Sequence, residues 1–308
     1  MLSICIPVYN FDVTGLVVTL HQQAVRQNIA AEVICIDDCS NAEFRDINKD
    51  ICNTYGRYIQ LEENIGRARI RNLFLEYALY DYLLFLDCDS VLITSNFVRK
   101  YADAIISNGA EVICGGRIYN EIKPSSQKLL RWKYGRKKES ITVEARLKHP
   151  NVSFITCNFA INRNTLINCK FDERLVKYGH EDTLFGFQLK KNKIRILHIE
   201  NPILNGYLED NDEFLDKTEL GLENLLNILQ FLNYDKQFIE DVTLLKTHKI
   251  FRMIRLDLLI VFIFPFLKPA LRLNLSKGFA NLFWFDFYKL GFFSTSYVTR
   301  AFKFPSKH

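Results

Sequence analysis

The chain has 308 residues, of which 48% are hydrophobic and 24% are charged, and its net charge is +5. This length is sufficient to bury a substantial core in one large domain or two smaller ones, and the composition excludes an intrinsically disordered protein. The modest positive charge favours contact with phosphates or anionic lipids. It is too small to indicate a nucleic-acid-binding protein, so we predict no nucleic-acid partner.

Eight cysteines occur without a CxxC pair or a Cys/His cluster at zinc spacing. Several of them, including Cys5, Cys35 and Cys88, lie in or beside apolar runs, where a thiol behaves as a small hydrophobic group. Free buried thiols are typical of a reducing compartment. The amino-terminal MLSICIPVYN has neither a basic leader nor a long apolar stretch, so we expect a cytoplasmic protein.

Short apolar runs alternate with helical patterns through the first half of the chain. The strands are predicted in LSICIPVYN, AEVICIDDCS, GRYIQLEEN, DYLLFLDCDS and AEVICGG, and the helices at residues 14–28, near 41–53, in GRARIRNLFLEYAL and at 96–107. Near-continuous Ile, Val, Leu and Cys strands between helices predict an α/β fold with a mostly parallel sheet covered on both faces. In such sheets, ligands bind beyond the carboxyl ends of the strands.

Three of the predicted strands end in polar side chains. These ends are Tyr9 with Asn10, Asp37 with Asp38, and Asp87 with Asp89. Polar turn residues end most strands, but three such ends at one edge of a parallel sheet would line a single crevice. Asp87 and Asp89 flank Cys88, so both carboxylates point to the same side of an extended backbone.

The second half of the chain begins with the basic, aromatic stretch SSQKLLRWKYGRKKES, residues 125–140. It has no strand pattern, and we interpret it either as a solvated loop or as a mobile flap over an anionic ligand. Glu181 and Asp182 begin a predicted helix, where carboxylates suit the positive end of the helix dipole, and KIRILHIEN is a further predicted strand. Helical patterns then replace the alternation, so we predict two domains, 1–210 and 211–308.

Five motifs in order, SICIPVYN, VICIDDCS, NIGRARIRN, LFLDCDS and GHEDTLFG, resemble those of family-two glycosyltransferases of the bacterial surface-polysaccharide type. The resemblance covers roughly residues 1–210. It implies the GT-A fold, in which helices sandwich a mostly parallel nucleotide-binding sheet, here with a helical C-terminal extension. LHIENPILNGYLEDNDEFLDKT is also similar to bacterial members, where a second His often stands at the position of Asn205.

The resemblance implies a metal-dependent hexosyltransferase that uses Mn²⁺ or Mg²⁺ and a nucleotide-sugar donor. A divalent ion held by carboxylate and phosphate oxygens neutralises the charge that develops on a leaving diphosphate. By the family pattern, Asp89 is a direct metal ligand, Asp87 acts through the ribose or a metal-bound water, and His198 is the third protein ligand. A lone His at a strand end is otherwise structural, and that alternative stays open.

The resemblance also places the donor against the strand ends and the helix that follows the third strand. The implied donor-binding residues are Pro7, Tyr9, Asn10, Asp37, Asp38, Asn64, Gly66, Arg67, Arg71 and Asp87. Asp38 would accept a hydrogen bond from a uracil N–H, and Arg71, rather than Arg67, would contact the uracil or the diphosphate. Alternatively, Asp37, Asp38 or Ser40 caps the next helix, and the two arginines pair with nearby glutamates on a solvated helical face.

Sugar transfer also requires a base that removes the proton of the acceptor hydroxyl as its oxygen attacks the anomeric carbon. We assign this role to Asp182, with Glu181 positioning the acceptor or the base, although both residues could simply stabilise a helix start. A single base with direct displacement gives inversion. We therefore predict an inverting transferase that moves a sugar, with a UDP-sugar as the expected donor, to a glycan or lipid-linked acceptor in surface-polysaccharide synthesis.

Two rival functions are a sugar nucleotidyltransferase and a non-catalytic nucleotide- or membrane-binding module. The first would need a Gly-rich, basic loop after the first strand, which PVYNFDVTGL does not provide. The presence of Asp87, Asp89 and Asp182 argues against the second.

The C-terminal region combines Lys and Arg with dense Phe, Leu and Ile. Its longest uncharged run, Leu258–Leu267, is well short of the roughly 20 residues of a spanning helix. Lys249, Arg252 and Arg255, spaced by three, predict an amphipathic helix at an anionic membrane surface, which Pro265 kinks or ends. The alternative is a helical subdomain that packs on the sheet domain or on a second subunit, so an oligomer is possible.

Overall fold

The computed structural model describes residues 1–175 and 177–303, and the chain divides into two compact units. Unit 1 consists of Met1–Asn120, Lys138–Val176 and Glu181–Tyr207, and unit 2 consists of Glu121–Lys137, Lys177–His180 and the residues from Leu208 onward. The domain boundary expected after residue 210 stays a prediction.

Unit 1 contains a larger and a smaller sheet. The strands are β1 (Leu2–Val8), β2 (Ala31–Asp37), β3 (Arg57–Gln60), β4 (Tyr82–Leu86), β5 (Ser90–Leu92), β6 (Val112–Cys114), β7 (Arg117–Ile118), β8 (Asn158–Asn162), β9 (Ile196–His198) and β10 (Ile203–Asn205). The larger sheet has the order β3-β2-β1-β4-β8-β6-β9, in which only β8 runs antiparallel to its neighbours. The smaller sheet has the order β5-β10-β7.

Helices connect the parallel strands and form most of unit 2. They are α1 (Thr14–Arg26), α2 (Ala42–Tyr55), α3 (Arg67–Tyr77), α4 (Phe97–Asn108), α5 (Leu129–Tyr134), α6 (Val143–Lys148), α7 (Arg163–Asn168), α8 (Glu181–Lys191), α9 (Asn211–Phe231), α10 (Lys236–Asp241), α11 (Thr243–Met253), α12 (Leu256–Ser276) and α13 (Leu282–Lys303). The first four helices agree with the predicted helices to within a few residues. The predicted α/β class, with a mostly parallel sheet and a helical C-terminal region, is confirmed.

The larger sheet is covered on both faces, because its strands are apolar at successive positions. In β1, Leu2, Ile4 and Ile6 belong to one hydrophobic cluster, whereas Cys5 belongs to the cluster on the other face. Side chains alternate between the faces of a strand, so a continuous apolar run supplies two cores at once. This double burial fixes the strand ends that carry the polar residues.

The basic stretch 125–140 is helical, so its interpretation as a loop is wrong. It forms a short 3₁₀ turn at Ser126–Lys128, then α5, and then a π-helical turn at Gly135–Glu139. The capping alternative for Asp37, Asp38 and Ser40 is also wrong. Helix α2 has Asn41 at its N-cap position, with no side-chain capping hydrogen bond.

The helices of unit 2 pack around their own apolar cluster, which includes Ile260 and Phe264 of α12 and Phe285 and Tyr288 of α13. A Cβ at Gly291 would overlap the Phe264 ring, so this glycine allows α12 and α13 to approach closely.

Of the two effects expected of Pro265, a kink or an end of the helix, the second is wrong, because α12 continues through both Pro265 and Pro269. The predicted single amphipathic helix is instead divided. Lys249 and Arg252 lie in α11, and Arg255 adopts a left-handed conformation (φ 59°) just before α12. Among the residues that the structure describes, no helix has both the length and the apolar character needed to cross a membrane.

Candidate active site

The carboxyl ends of β1, β2 and β4 meet at one edge of the larger sheet. These three strands are neighbours and run parallel, with Val8 opposite Asp37 and Cys5 opposite Phe85. The Asp38 amide donates to the Val8 carbonyl at 2.8 Å, which ties the first two ends together. The structure therefore brings the three polar strand ends of the sequence to a common edge.

The loop that carries Asp87 and Asp89 is fixed by backbone hydrogen bonds. The Asp87 amide donates to the Cys157 carbonyl at 3.2 Å, and the Gly206 amide donates to the Asp89 carbonyl at 2.8 Å. A Cβ at position 206 would lie 2.5 Å from that carbonyl oxygen, so only glycine allows this approach. The chain then enters β5, where Ser90 pairs with Asn205 of β10. Asn205 is thereby placed in register beside the acidic loop.

Asp87 is held by two arginines. Its Oδ1 accepts a hydrogen bond from Arg71 Nη2 at 3.0 Å, and its Oδ2 lies 3.6 Å from Arg117 Nη2. Burial would raise the pKa of Asp87, but the guanidinium groups of Arg71, Arg67 and Arg117 outweigh burial and keep this pKa below its ordinary value. Asp87 is therefore stabilised in its ionised form.

Glu181, at the start of α8, is held in the same way. Its Oε1 lies 3.3 Å from Arg67 Nη1 and 3.9 Å from Arg71 Nη1. Burial raises the pKa of Glu181, yet the charges of the two arginines lower it overall. Arg71 thus contacts both Asp87 and Glu181, and this buried guanidinium joins the β4 loop to the beginning of α8.

Asp89 and Asp182 are the opposite case. The pKa of Asp89 is raised to about 6 by burial and by the charge of Asp87. The pKa of Asp182 is raised to about 6 by burial and by the charge of Glu181, although its Oδ1 accepts a hydrogen bond from the Thr183 amide at 2.7 Å. Among the described residues, neither carboxylate has a salt bridge within 4 Å. In each of the two pairs, Asp87 with Asp89 and Glu181 with Asp182, the charge of the first acid is therefore balanced by arginines and that of the second is not.

The acids after β2 have bonding partners within the protein. Asp37 is fully buried and accepts hydrogen bonds from the Ser40 amide and the Tyr58 hydroxyl, both at 2.7 Å. Asp38 accepts from the Ile65 amide at 2.7 Å and from the Gly66 amide at 3.1 Å. Asp38 therefore stabilises the turn that begins α3. Asp37 has no exposed surface that could contact a nucleotide sugar.

Gly66 gives this turn its shape, because its φ of 80° is unfavourable for other residues. Arg67 follows it and is half exposed, whereas Arg71 has only 1% of its side chain accessible. The structure therefore favours Arg67 over Arg71 as a residue that reaches a ligand. The resemblance implied the opposite order.

The remaining predicted donor residues lie around the end of β1. Pro7 lies within β1, and Tyr9 just beyond it is 52% exposed. The Asn10 amide donates to Ser40 Oγ at 2.8 Å, and Asn10 Oδ1 accepts from the Asn41 amide at 2.8 Å. Asn64 donates to the Asp38 carbonyl at 3.1 Å. Of this group, Tyr9 presents the most accessible aromatic surface for a nucleotide base.

His198 does not offer a free ring nitrogen. It is 3% exposed, with Nε2 2.9 Å from the Pro150 carbonyl oxygen and Nδ1 3.2 Å from Arg146 Nη1. Burial lowers the pKa of His198 to about 4, so the ring is neutral, donating through Nε2 and accepting at Nδ1. We correct the assignment of His198 as a metal ligand, since both nitrogens already have partners inside the protein.

Sequence reasoning missed Arg117 of β7. Its Nε donates to Cys157 Sγ at 3.1 Å, and Nη1 lies 3.4 Å from Glu139 Oε2, so the guanidinium is held rigidly while Nη2 faces Asp87. Its charge also lowers the pKa values of Asp89 and Asp182. The preceding Gly116 has a φ of 92°, which turns the chain just before Arg117. The glycine itself was the local sign of this turn in the sequence.

The mostly parallel sheet, with acids at the carboxyl ends of its central strands, is consistent with the GT-A fold. The family model described as glycosyl transferase family 2 matches residues 3–171, which is more than half of the chain. The chain therefore belongs to glycosyltransferase family 2 and is an enzyme that transfers a sugar.

The known proteins to which this chain is similar are distant in sequence. An uncharacterised glycosyltransferase of Methanocaldococcus jannaschii, MJ1057, is 24% identical over 195 residues, which cover 60% of this chain and 62% of the relative. A structure of S. aureus TarS is 21% identical with a TM-score of 0.50, covering 76% of this chain and 43% of TarS. The chain thus spans less than two thirds of these relatives.

Two further structures contain donors. S. aureus TarS 1–349 in complex with UDP-GlcNAc has a TM-score of 0.52 and 19% identity, covering 97% of this chain and 92% of that one. The mannosyltransferase PcManGT from Pyrobaculum calidifontis, in complex with GDP-Man and Mn²⁺, has a TM-score of 0.52 and 12% identity, covering 74% and 64%. At these identities the likeness shows the fold, and the predicted GT-A class is confirmed.

Proposed function

We propose that this enzyme is an inverting, metal-dependent glycosyltransferase that moves a sugar from a UDP-sugar to a glycan or lipid-linked acceptor. The observation that carries the proposal is the division of four acids into two that arginines neutralise and two that have no cationic partner. A carboxylate without a cationic partner can bind a divalent cation if it lies beside the diphosphate of the sugar donor. If it lies beside the acceptor hydroxyl, it can instead act as the base that takes the hydroxyl proton.

Asp89 fits a divalent cation. Its raised pKa shows that the surrounding protein does not balance its charge, and a bound cation would do so. Asn205 lies in register beside this loop, and its amide nitrogen donates to the Tyr207 carbonyl, which leaves Oδ1 as a possible oxygen ligand. In the described part of the chain, no three His, Cys, Asp or Glu side chains form a ready metal cluster. Donor phosphate oxygens would therefore complete the ligand set.

We assign the remaining contacts with the nucleotide sugar from the exposure and the charge of the side chains around the site. Tyr9 would lie against the base, and Asp87, kept ionised by its arginines, would accept a hydrogen bond from the ribose. Arg67 is accessible and would face the diphosphate. When bound, the cation acts as a Lewis acid on the leaving diphosphate. The complexes of TarS with UDP-GlcNAc and of PcManGT with GDP-Man and Mn²⁺ support a donor and a metal of this class.

Asp182 would act as the general base. Its carboxylate accepts the proton of the acceptor hydroxyl while that oxygen bonds to the anomeric carbon and the bond to the nucleoside diphosphate breaks. One displacement from the face opposite the leaving group inverts the configuration. Glu181, fixed by Arg67 and Arg71, would position the base and keep a negative charge beside it, which strengthens Asp182 as a proton acceptor.

The biological setting that we propose is surface-polysaccharide synthesis in the cytoplasm. The resemblance of the ordered motifs to bacterial members of the family supports the first part. All eight cysteines are free, which suits a reducing compartment and supports the second.

A donor panel tests the proposal. The full chain is incubated with Mn²⁺ and, in turn, UDP-glucose, UDP-GlcNAc and GDP-mannose, and release of the nucleoside diphosphate is measured. We expect slow, EDTA-sensitive hydrolysis of a UDP-sugar. No turnover with any donor, together with no rise in melting temperature on adding any nucleotide, would instead favour a non-catalytic module.

A further inference from the structure

Helix α12 in unit 2 is apolar on two opposite sides. Ile260, Phe264 and Leu275 on one side are buried in the core of unit 2. A helix that is apolar all round is normally buried all round. The opposite side of α12, however, is exposed.

We define the apolar face of α12 as its exposed residues Leu258, Leu259, Phe262, Phe266 and Leu273. At 100° per residue these positions fall on one side of the helix. Phe262 and Phe266 are 71% and 76% exposed, and together they present roughly 300 Å² of aromatic surface. The two phenylalanines alone thus reach the lower end of the largest apolar patch on a typical soluble monomer, about 300–600 Å².

Other exposed apolar side chains of unit 2 lie next to α12 in the sequence. Met253 and Ile254 precede it and are 75% and 60% exposed. Phe283 and Trp284, near the start of α13, are 70% and 39% exposed, with ring centroids 5.4 Å apart. Tryptophan at a helix end is typical of a membrane–water interface. This concentration of apolar surface needs a partner.

Positive charges stand at both ends of the apolar face. Arg255 begins α12 and Lys277 ends it, both are exposed, and within the described residues neither has an acidic partner. The single acid of α12, Asp257, is 7% exposed. Lys268 and Arg272 are already paired with Glu219. The face is therefore apolar along its length and cationic at its two ends.

A second copy of the chain matches this charge pattern poorly. In an antiparallel two-fold pair, Arg255 of one copy would meet Lys277 of the other, and in a parallel pair Arg255 would meet Arg255. Either arrangement places like charges together with no acid to balance them. An anionic lipid surface, in contrast, offers acyl chains to the apolar face and headgroup charges to both ends.

We propose that the apolar face of α12 lies in the headgroup region of an anionic membrane. The helix rests parallel to the surface along about 31 Å, with Arg255 and Lys277 contacting lipid phosphates. This inference does not depend on the proposed sugar transfer.

Vesicle sedimentation of the full chain tests this docking, with vesicles of phosphatidylcholine alone or with 30% phosphatidylglycerol. We expect binding to the anionic vesicles, reduced at least tenfold in Phe262→Ser/Phe266→Ser. The matched control is Leu79→Ser/Ile106→Ser, which removes two side chains of unit 1 that are 73% and 67% exposed. This control should bind like the wild type.

A charge-reversal pair tests the ends of the helix. Arg255→Glu/Lys277→Glu should weaken binding to anionic vesicles roughly tenfold or more, on the usual contribution per basic residue. Lys49→Glu/Lys170→Glu carries the same net charge at exposed positions of unit 1 and should lose much less.

Two outcomes would overturn the proposal. One is wild-type protein that does not sediment with anionic vesicles. The other is a dimer in solution that becomes a monomer in Phe262→Ser/Phe266→Ser, which would assign the face to a second copy. Unchanged melting temperatures confirm that the variants are folded.

Discussion

The loop after β4 and the start of α8 each carry two acids, and each pair is divided in the same way. In the loop, arginines hold Asp87 while Asp89 has no cationic partner. In the helix, arginines hold Glu181 while Asp182 has none. Two segments distant in the sequence therefore have the same electrostatic arrangement, joined by the buried Arg71.

The surroundings of the two uncompensated acids differ, and the difference separates their roles. Asp89 directly precedes Ser90, which pairs with Asn205 in the smaller sheet, and carboxylate and amide oxygens suit a hard cation. Asp182 lies at the positive end of a helix, where its carboxylate accepts a hydrogen bond from the Thr183 amide. These surroundings fit a carboxylate that takes up a proton rather than one that binds a metal ion.

Replacing Asp182 by asparagine should have the largest effect. The side chain keeps its shape but cannot accept a proton, so we expect transfer to fall about 10³-fold. Binding of the nucleotide, measured by titration calorimetry, should stay within a factor of about three, because Asp182 does not contact the donor in our account.

Asp50→Asn, at an exposed position of α2, is the control and should transfer at the wild-type rate. The Asp182→Asn protein should also melt higher than the wild type at pH 8, since burial disfavours the carboxylate that it removes, and the difference should vanish below about pH 4. Full transfer activity in Asp182→Asn would refute the base assignment.

The pH dependence of transfer is the second prediction. The pKa of Asp182 is about 6, above its ordinary value, so the base is protonated and inactive below that pH. At saturating donor and metal, kcat should fall about tenfold per pH unit below pH 6 and level off above it. A rate that is constant from pH 4 to 8 would exclude Asp182 as the group that takes the proton.

Removing Arg117 should lower transfer less than removing Asp182 does, and it should do so by shifting the pH dependence of kcat. Without its charge the pKa values of Asp87 and Asp182 should rise, so Arg117→Met should shift the pH profile of kcat upward and lower kcat at pH 5, where the base is mostly protonated, by up to about tenfold. Arg117→Lys should restore part of the activity. This makes Arg117 a positioning residue rather than a catalytic one.

The control for Arg117 is Arg163→Met. Arg163 donates to the Leu75 carbonyl at 2.9 Å, near the amino end of β4, away from the acids. Its removal should lower the melting temperature without moving the pH profile. If both variants leave the profile unchanged, Arg117 has only a structural role.

Asn205 offers the mildest test of the metal side. Imidazole binds Mn²⁺ more strongly than a neutral amide does, so Asn205→His should tighten Mn²⁺ binding in the presence of UDP by about tenfold. Asn164→His, at an exposed position of α7, is the control. Equal Mn²⁺ affinity in both variants would show that position 205 does not face the cation.

The sequence was sufficient to predict the α/β sheet and its acidic edge, because continuous apolar strands between helices leave few alternatives. It also indicated Asp89 and Asp182, since both stand at the ends of predicted elements. The family pattern ranked Arg71 above Arg67, but neither that pattern nor helical periodicity could show that the Arg71 side chain is buried. The metal-ligand role of His198 was carried over from the resemblance, and the local sequence could not show that its ring nitrogens contact Pro150 and Arg146, which come from another part of the chain.

Arg117 and the apolar face of α12 could not be predicted. A sequence pattern can reveal the role of a single arginine only when its partners are near in the sequence. Cys157, which binds Arg117, is 40 positions away. The face of α12 was hidden because an apolar helix has no polar side to mark which half is exposed.

The most direct measurement is the binding of UDP to the wild type and to Asp89→Ala, by titration calorimetry with and without Mn²⁺. If residue 89 and a diphosphate share one cation, Mn²⁺ should tighten UDP binding at least tenfold in the wild type and leave Asp89→Ala unaffected. Equal enhancement by Mn²⁺ in both proteins would contradict the account.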